Sequence, residues 1–282
     1  MSGAGPGPVV EVAAATVVPL RDTAAGLEAL VLRKNSKLAF GGMWVFPGGR
    51  VDPADLDPGG RFGPSGGGAG PGGRDDSVTL DDSVTLTESA WAAGAEQVEL
   101  AAARRAAVRE AVEEAGVVID PASLVVLSHW RPPTEAPRRF ATWFFLAALV
   151  GAQDVVIDMG EIHEHQWIRP ADALARRDAG EVELAPPTWV TLHRLARAPD
   201  VASALARAAE HPPERYLTRI ARHGDVLVAV WDGDVAYRSG DLEAAGPRRR
   251  LWMGQVWTFD EGPGGDPRPE VKVEGRGPGD GH

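Results

Sequence analysis

Apolar residues fill positions 9–20 almost without a break, and a second such run covers 27–34 after the polar stretch 22–26. Aliphatic, β-branched runs bounded by turn residues predict two strands joined by a turn. Residues 40–46 predict a further strand entering a Pro47-Gly48-Gly49 turn. After residue 87 the pattern changes to Ala, Leu and Glu, which predicts helix to 115, broken near Gly94 and resuming at about Glu99. Strands return at 124–130 and 140–150 around the proline-rich loop 131–139. A short one at 165–168 follows the acidic loop Glu161-Ile162-His163-Glu164. Pro170 and Pro187 suit the first positions of two helices, and 201–209 predicts a third. Short strands at 225–230, 235–237 and 256–259 complete the pattern. Arg248-Arg249-Arg250 reads as a solvated turn or as an anion contact between subunits.

The sharpest two-faced pattern lies in residues 108–116. At about 100° per residue, Glu110, Glu113 and Glu114 share one stripe, with Val108, Ala111, Val112 and Ala115 on the other. Arg109 precedes Glu113 at i,i+4 spacing and can brace the acids. Gly116 supplies the left-handed residue that ends a helix. Three carboxylates within one turn repel each other, and Mg²⁺ would offset that repulsion, because it takes a few carboxylate oxygens and keeps several waters. A solvated helix end would carry the same residues.

Composition narrows the choice. The chain of 282 residues is long enough for one large domain or a domain with an appendage. A net charge of −11 argues against general nucleic-acid binding, and an anionic substrate would need local Arg and a metal to attract it. The absence of cysteine excludes disulfides, thiolate metal sites and a Cys nucleophile. The N-terminal 1–8, rich in Gly and Pro, lacks the features of a signal peptide, and the longest apolar run, 143–150, is too short to span a bilayer. A cytoplasmic protein with no membrane partner is expected. Residues 57–73 are Gly/Pro-rich and 75–86 repeat Asp-Asp-Ser-Val-Thr-Leu, so 57–88 is expected to be a flexible insertion. A domain over 9–200 is expected to carry an extension at 201–260, with disordered ends at 1–8 and 261–282.

The stretch 42–52, containing Val45-Phe46-Pro47-Gly48-Gly49-Arg50-Val51-Asp52, and the helix Arg109-Glu110-Ala111-Val112-Glu113-Glu114-Ala115-Gly116 together resemble the Nudix hydrolase signature. The long insertion between them, with Arg138 to Phe145, 167–174 and 184–188, is similar to the branch containing the peroxisomal coenzyme A diphosphatases. The chain ends Gly279-Asp280-Gly281-His282, without a Ser-Lys-Leu type address. The resemblance implies an α/β fold, the Nudix α/β/α sandwich with a mixed sheet, here with extra C-terminal helices and strands. It implies hydrolysis of a nucleoside diphosphate linked to another moiety, with coenzyme A or acyl-CoA as the first substrate class. ADP-ribose, dinucleotides or nucleotide sugars are the alternatives, and a sensing domain without catalysis is a third reading.

By that resemblance Glu110, Glu113 and Glu114 would hold Mg²⁺ or Mn²⁺ with the Gly48 carbonyl, and Arg109 would orient them. Asp55 stands where the family usually has Glu, one methylene longer, so its orienting role is expected to weaken or pass to Asp52. The general base would come from the helix or from the loop acids Glu161 and Glu164. Arg33, Arg50 and Arg139 would contact phosphate or base, and Trp44 or Trp130 could stack on adenine, with core packing as their other fate. His163 and His165 would point the same way on a strand, but no third ligand matches them. The partner implied is a small nucleotide-diphosphate, and a homodimer is the assembly common among relatives.

Overall fold

The computed structural model describes residues 11–35, 41–56, 88–136, 139–151 and 153–262. The expected insertion, apart from Glu88, lies outside the described residues, as do 1–8, Phe40 and the tail beyond Gly262.

Strands β1 (Glu11–Thr23) and β2 (Gly26–Lys34) form the antiparallel pair. Gly26 takes φ +110°, and Thr23 closes the turn by accepting from the Ala25 N–H and donating to the Gly26 carbonyl. Strand β3 (Trp44–Val45) is much shorter than the 40–46 run suggests. Gly48-Gly49, expected as a turn, lies instead in strand β4 (Gly48–Arg50), antiparallel to β1 with Gly48 opposite Thr16 and Gly49 opposite Ala15. Contact, not turning, requires glycine here: a Cβ on Gly48 would lie 2.5 Å from the Ala15 carbonyl and the Thr16 hydroxyl. A 3-10 turn, Pro53–Leu56, follows.

Helix α1 (Glu88–Ala115) passes through Gly94 unbroken. One glycine costs roughly 1 kcal/mol in a helix, which the packed face of a 28-residue helix outweighs. Gly116 ends it at φ +65° as expected. The stripe is rotated from the expected one. Val112 is 45% exposed, whereas Glu114 is 4% exposed and continues the buried row Ala103, Ala107, Ala111.

Strands β5 (Val125–Arg131), β6 (Arg139–Ala148) and β7 (Ile162–Ile168) continue the sheet, β7 starting three residues before the predicted strand. Helices α2 (Pro170–Asp178), α3 (Pro186–Leu195) and α4 (Val201–Glu210) begin near the expected prolines and at an Asp200 cap. Strand β8 (Glu214–Leu217) then runs parallel to β5. The main sheet has the order β3-β2-β1-β6-β5-β8, with β4 on β1 and β7 on β2. Parallel β1/β6 and β5/β8 pairs make it mixed.

Both faces of this sheet are apolar, which is why β1 and β6 read as continuous hydrophobic runs. Ala15, Val17, Leu30, Leu32, Trp143 and Phe145 pack under α1. Val18, Leu20, Ala29, Val31, Phe144 and Leu146 pack under α2, α3 and α4 on the other side. The result is the expected α/β/α sandwich. Helix α4 and β8, though in the stretch read as an extension, complete its layers.

Strands β9 (Arg219–His223), β10 (Val226–Val230), β11 (Arg248–Met253) and β12 (Trp257–Gly262) make a second, antiparallel sheet in the order β12-β11-β10-β9. Of residues 235–237, expected as a strand, Ala236 and Tyr237 lie in the short helix α5 (Ala236–Ser239) and Val235 precedes it in a turn, with the Ala236 N–H accepted by Asp234 at 2.7 Å. Glu261 and Gly262 lie in β12, not in a tail. The arginine triplet is strand, not a turn, and Arg250 is 1% exposed. Among the described residues no helix is long and apolar enough to cross a membrane.

Candidate active site

The end of α1, the start of β4 and the end of β2 meet at Glu114. Its Oε2 accepts the Gly48 N–H at 2.9 Å, and its Oε1 accepts the Lys34 ammonium at 2.8 Å. Burial pushes its pKa up; Lys34 and the Gly48 N–H oppose that, while the charge of Glu161 adds to it. Lys34 was not among the expected site residues, although the strand period announces it. Leu30, Leu32 and Lys34 alternate onto the face that α1 covers, and Arg33 onto the other.

Arg109 braces the other two acids. Its Nη1 donates to Glu110 Oε1 at 2.8 Å and to Glu113 Oε2 at 3.0 Å, the expected i,i+4 pair. Its Nη2 donates to the Arg50 carbonyl at 2.9 Å and to Asp55 Oδ2 at 3.0 Å. Burial works to lower the Arg109 pKa, but Asp55 and Glu110 outweigh it and raise it, so the guanidinium stays charged. Gly49 lies so close to the Glu110 carboxylate that any side chain there would collide with it.

Asp55 therefore reaches Arg109 despite its shorter side chain. The 3-10 turn carries it inward to 4% exposure, and the Asp52 N–H fixes the same Oδ2 at 2.9 Å. Asp52, the expected substitute, has an exposed carboxylate 3.7 Å from Arg109.

The three helix carboxylates do not converge as a ligand set: among the described residues no group of three acidic or imidazole side chains is placed to hold a metal. Each is turned toward an internal cation instead, Glu110 and Glu113 to Arg109 and Glu114 to Lys34. The donors nevertheless fit a hard divalent ion. All are oxygens, and burial first, then the charges of Glu114 and Glu113, hold the Glu110 pKa up against Arg109. That is a site with more negative charge than its own cations offset.

The remaining candidates divide. Glu161 ends a loop tied to the site: its carbonyl accepts the Asn35 N–H at 2.8 Å, and Asp158 accepts its N–H at 3.1 Å. Met159 in that loop takes φ +59°, a conformation costly for a side-chain-bearing residue. Glu164 is not a loop acid; it lies in β7 opposite Arg33, with 3.5 Å between the charges. Arg50 is exposed, with its carbonyl on the Arg109 brace and its guanidinium over the Phe140 ring at 5.8 Å, whereas Arg33 is exposed on the sheet face away from α1. Arg139 pairs with Glu11 on β1, whereas Gly48 pairs with Thr16, so about 17 Å of strand separates them. Trp44 and Trp130 are core residues on the sheet face away from α1, Trp130 stacked on Tyr216 at 3.8 Å. They do not line the site. His163 and His165 are exposed, and His129 stacks on Trp143 at 4.2 Å.

Residues 86–188 match the model of the NUDIX domain, a stretch that contains the acidic helix but not Gly48-Gly49. Over 104 residues, 36% of this chain and 28% of the relative, the sequence is 34% identical to acyl-coenzyme A diphosphatase NUDT19 of Homo sapiens. It is 26% identical over 161 residues to putative nudix hydrolase 7 of Caenorhabditis elegans, covering 55% of this chain and 51% of that one. The chain thus spans about half or less of the length of these curated relatives. Among solved structures, a NUDIX hydrolase from Alicyclobacillus acidocaldarius is similar in fold, with a TM-score of 0.53 at 21% identity, over 72% of this chain and 99% of that one.

Proposed function

We propose that this chain, which belongs to the Nudix superfamily, hydrolyses the diphosphate bond of a nucleoside diphosphate linked to a second moiety, with coenzyme A or an acyl-CoA as the preferred substrate. The observation that carries the reading is Glu114: a carboxylate 4% exposed at the end of an acidic helix, held by a Gly-Gly strand and flanked by a brace that Asp55 fixes. The acyl-CoA preference is supported by the partial likeness to the human acyl-coenzyme A diphosphatase.

Glu110, Glu113 and Glu114, with the Gly48 carbonyl, would hold Mg²⁺ or Mn²⁺. Such an ion offsets charge on phosphate oxygens and makes a bound water more acidic. Arg109 and Asp55 orient the carboxylates. Glu161, whose charge is felt at Glu114, takes the proton of the attacking water. Glu164 is the weaker candidate, because Arg33 already faces it. Arg50, whose carbonyl holds the Arg109 brace, binds the phosphates, and Arg33, facing Glu164, is the weaker candidate. The presence of all three helix carboxylates favours catalysis over a purely sensing domain.

Mass spectrometry of products after incubation with Mg²⁺ and a panel of CoA, acyl-CoA, ADP-ribose, NADH and UDP-sugars tests the proposal. Release of 3′,5′-ADP and a phosphopantetheine from the CoA compounds is the expected result. Cleavage of another compound instead would replace the substrate and keep the chemistry. No cleavage with Mg²⁺ or Mn²⁺ would overturn the enzyme reading.

A further inference from the structure

We propose that Lys34 is a placeholder for the divalent cation: its ammonium neutralises Glu114 in the metal-free protein and gives up that carboxylate oxygen when the ion binds. The inference rests on the metal-dependent reading of the site. Oε2 of Glu114 accepts the Gly48 N–H, a fixed backbone donor, so the oxygen whose partner can move is Oε1, where Lys34 Nζ sits at 2.8 Å. Two cations cannot share that position, so the ion and the ammonium compete for it.

The two internal cations differ in how they are fixed. Arg109 is anchored by four acceptors, from Glu110, Glu113, Asp55 and the Arg50 carbonyl. Among the described residues Lys34 Nζ is held by the carboxylate of Glu114 alone, and its side chain keeps 15% exposure. A lysine ammonium on a flexible four-carbon stem can withdraw toward solvent, whereas a guanidinium fork fixed on several partners cannot. Arg109 is therefore the permanent brace and Lys34 the exchangeable charge. Without Lys34, the metal-free protein would keep a buried carboxylate with no cation, at a cost in stability.

The test is Mn²⁺ binding to the full chain without substrate, read as free Mn²⁺ by electron paramagnetic resonance at about pH 8, well above the usual carboxylate range. Wild type, Lys34→Met, Lys34→Arg and Glu114→Gln are compared. Removing the competitor is expected to tighten Mn²⁺ binding about tenfold, a typical coupling between competing sites. Lys34→Arg keeps a cation there and is expected to bind no tighter than wild type. The Mn²⁺-induced rise in Tm is expected to be larger in Lys34→Met than in wild type. If Lys34→Met does not fold without metal, Lys34→Gln carries the same expectation. A folded neutral variant that binds Mn²⁺ as wild type does, or more weakly, overturns the placeholder role while leaving the metal-dependent reading intact. Wild type that binds no Mn²⁺, or binding indifferent to Glu114→Gln, overturns the metal site itself.

Discussion

Two ionic clusters in this chain are built in opposite ways. In the C-terminal sheet, Arg250 and Asp234 meet at 1% and 0% side-chain exposure. The Arg250 Nε and Nη2 donate to the two carboxylate oxygens at 2.8 and 2.6 Å, and its Nη1 donates to the Leu242 carbonyl. Asp234 also accepts the N–H groups of Ala236 and Arg249. At the other cluster the carboxylates of Asp55, Glu110, Glu113 and Glu114 share, among the described residues, only Arg109 and Lys34. The first cluster is closed and serves the fold. The second is short of positive charge beside solvent, and only a cluster of that kind has a use for an external cation.

Breaking the closed pair should give the largest effect. Asp234→Ala leaves a buried guanidinium unpaired and is expected to cost about 3–5 kcal/mol in urea unfolding, with activity per folded molecule unchanged. A loss under about 1 kcal/mol would mean that the pair relaxes into solvent. Asp55→Ala acts on the open cluster through Arg109: kcat/KM should fall about 10–100-fold, as for other groups that orient metal ligands. Asp55→Asn, which can still accept from Arg109, should lose less.

The effect of pH separates the clusters further. Burial is the main reason that the Glu110 and Glu114 pKa values lie above 4.5. Between the unfolded and the raised folded values, the native state binds more protons than the unfolded chain, so the metal-free protein loses stability as pH rises through that window. A divalent cation offsets the loss. Mg²⁺ should therefore raise Tm more at about pH 8 than at about pH 5, and the acid limb of kcat/KM should move to lower pH as Mg²⁺ increases. Equal Tm shifts at both pH values would contradict the open cluster. The smallest effect is expected at Arg139, about 17 Å along β1 from the Gly48 position: Arg139→Ala should change kcat/KM by no more than about twofold.

What the sequence revealed was mostly local. The Arg109–Glu113 pair, the end of the helix at Gly116 and the β1/β2 hairpin depend on neighbours a few residues apart, and periodicity carries them. The Gly48-Gly49 strand was hidden because its glycines answer to Ala15, Thr16 and Glu110, all distant in sequence. Lys34 and Glu114 are eighty residues apart, so neither predicts the other. Asp55 seemed too short because a side chain can be counted along the sequence, while the 3-10 turn that moves its backbone inward cannot. Trp44 stands open in the sequence between adenine stacking and the core, and Glu164 reads as a loop acid, for a related reason: which sheet face or edge a residue joins is decided by strands elsewhere in the chain. Arg248-Arg249-Arg250 read as a solvated turn or an anion contact because their counter-charges, Asp260, Glu214 and Asp234, lie elsewhere in the chain.

The most direct test of the open cluster is turnover of a cleaved diphosphate substrate by wild type and Glu114→Gln side by side, with and without Mg²⁺, circular dichroism confirming that both are folded. Wild-type turnover should require the ion, and the variant should lose more than about a hundredfold at any Mg²⁺ concentration, exceeding the loss expected for a residue that only orients a ligand. Near-wild-type turnover by a folded Glu114→Gln protein would contradict the assignment of this helix as the metal-binding, catalytic element.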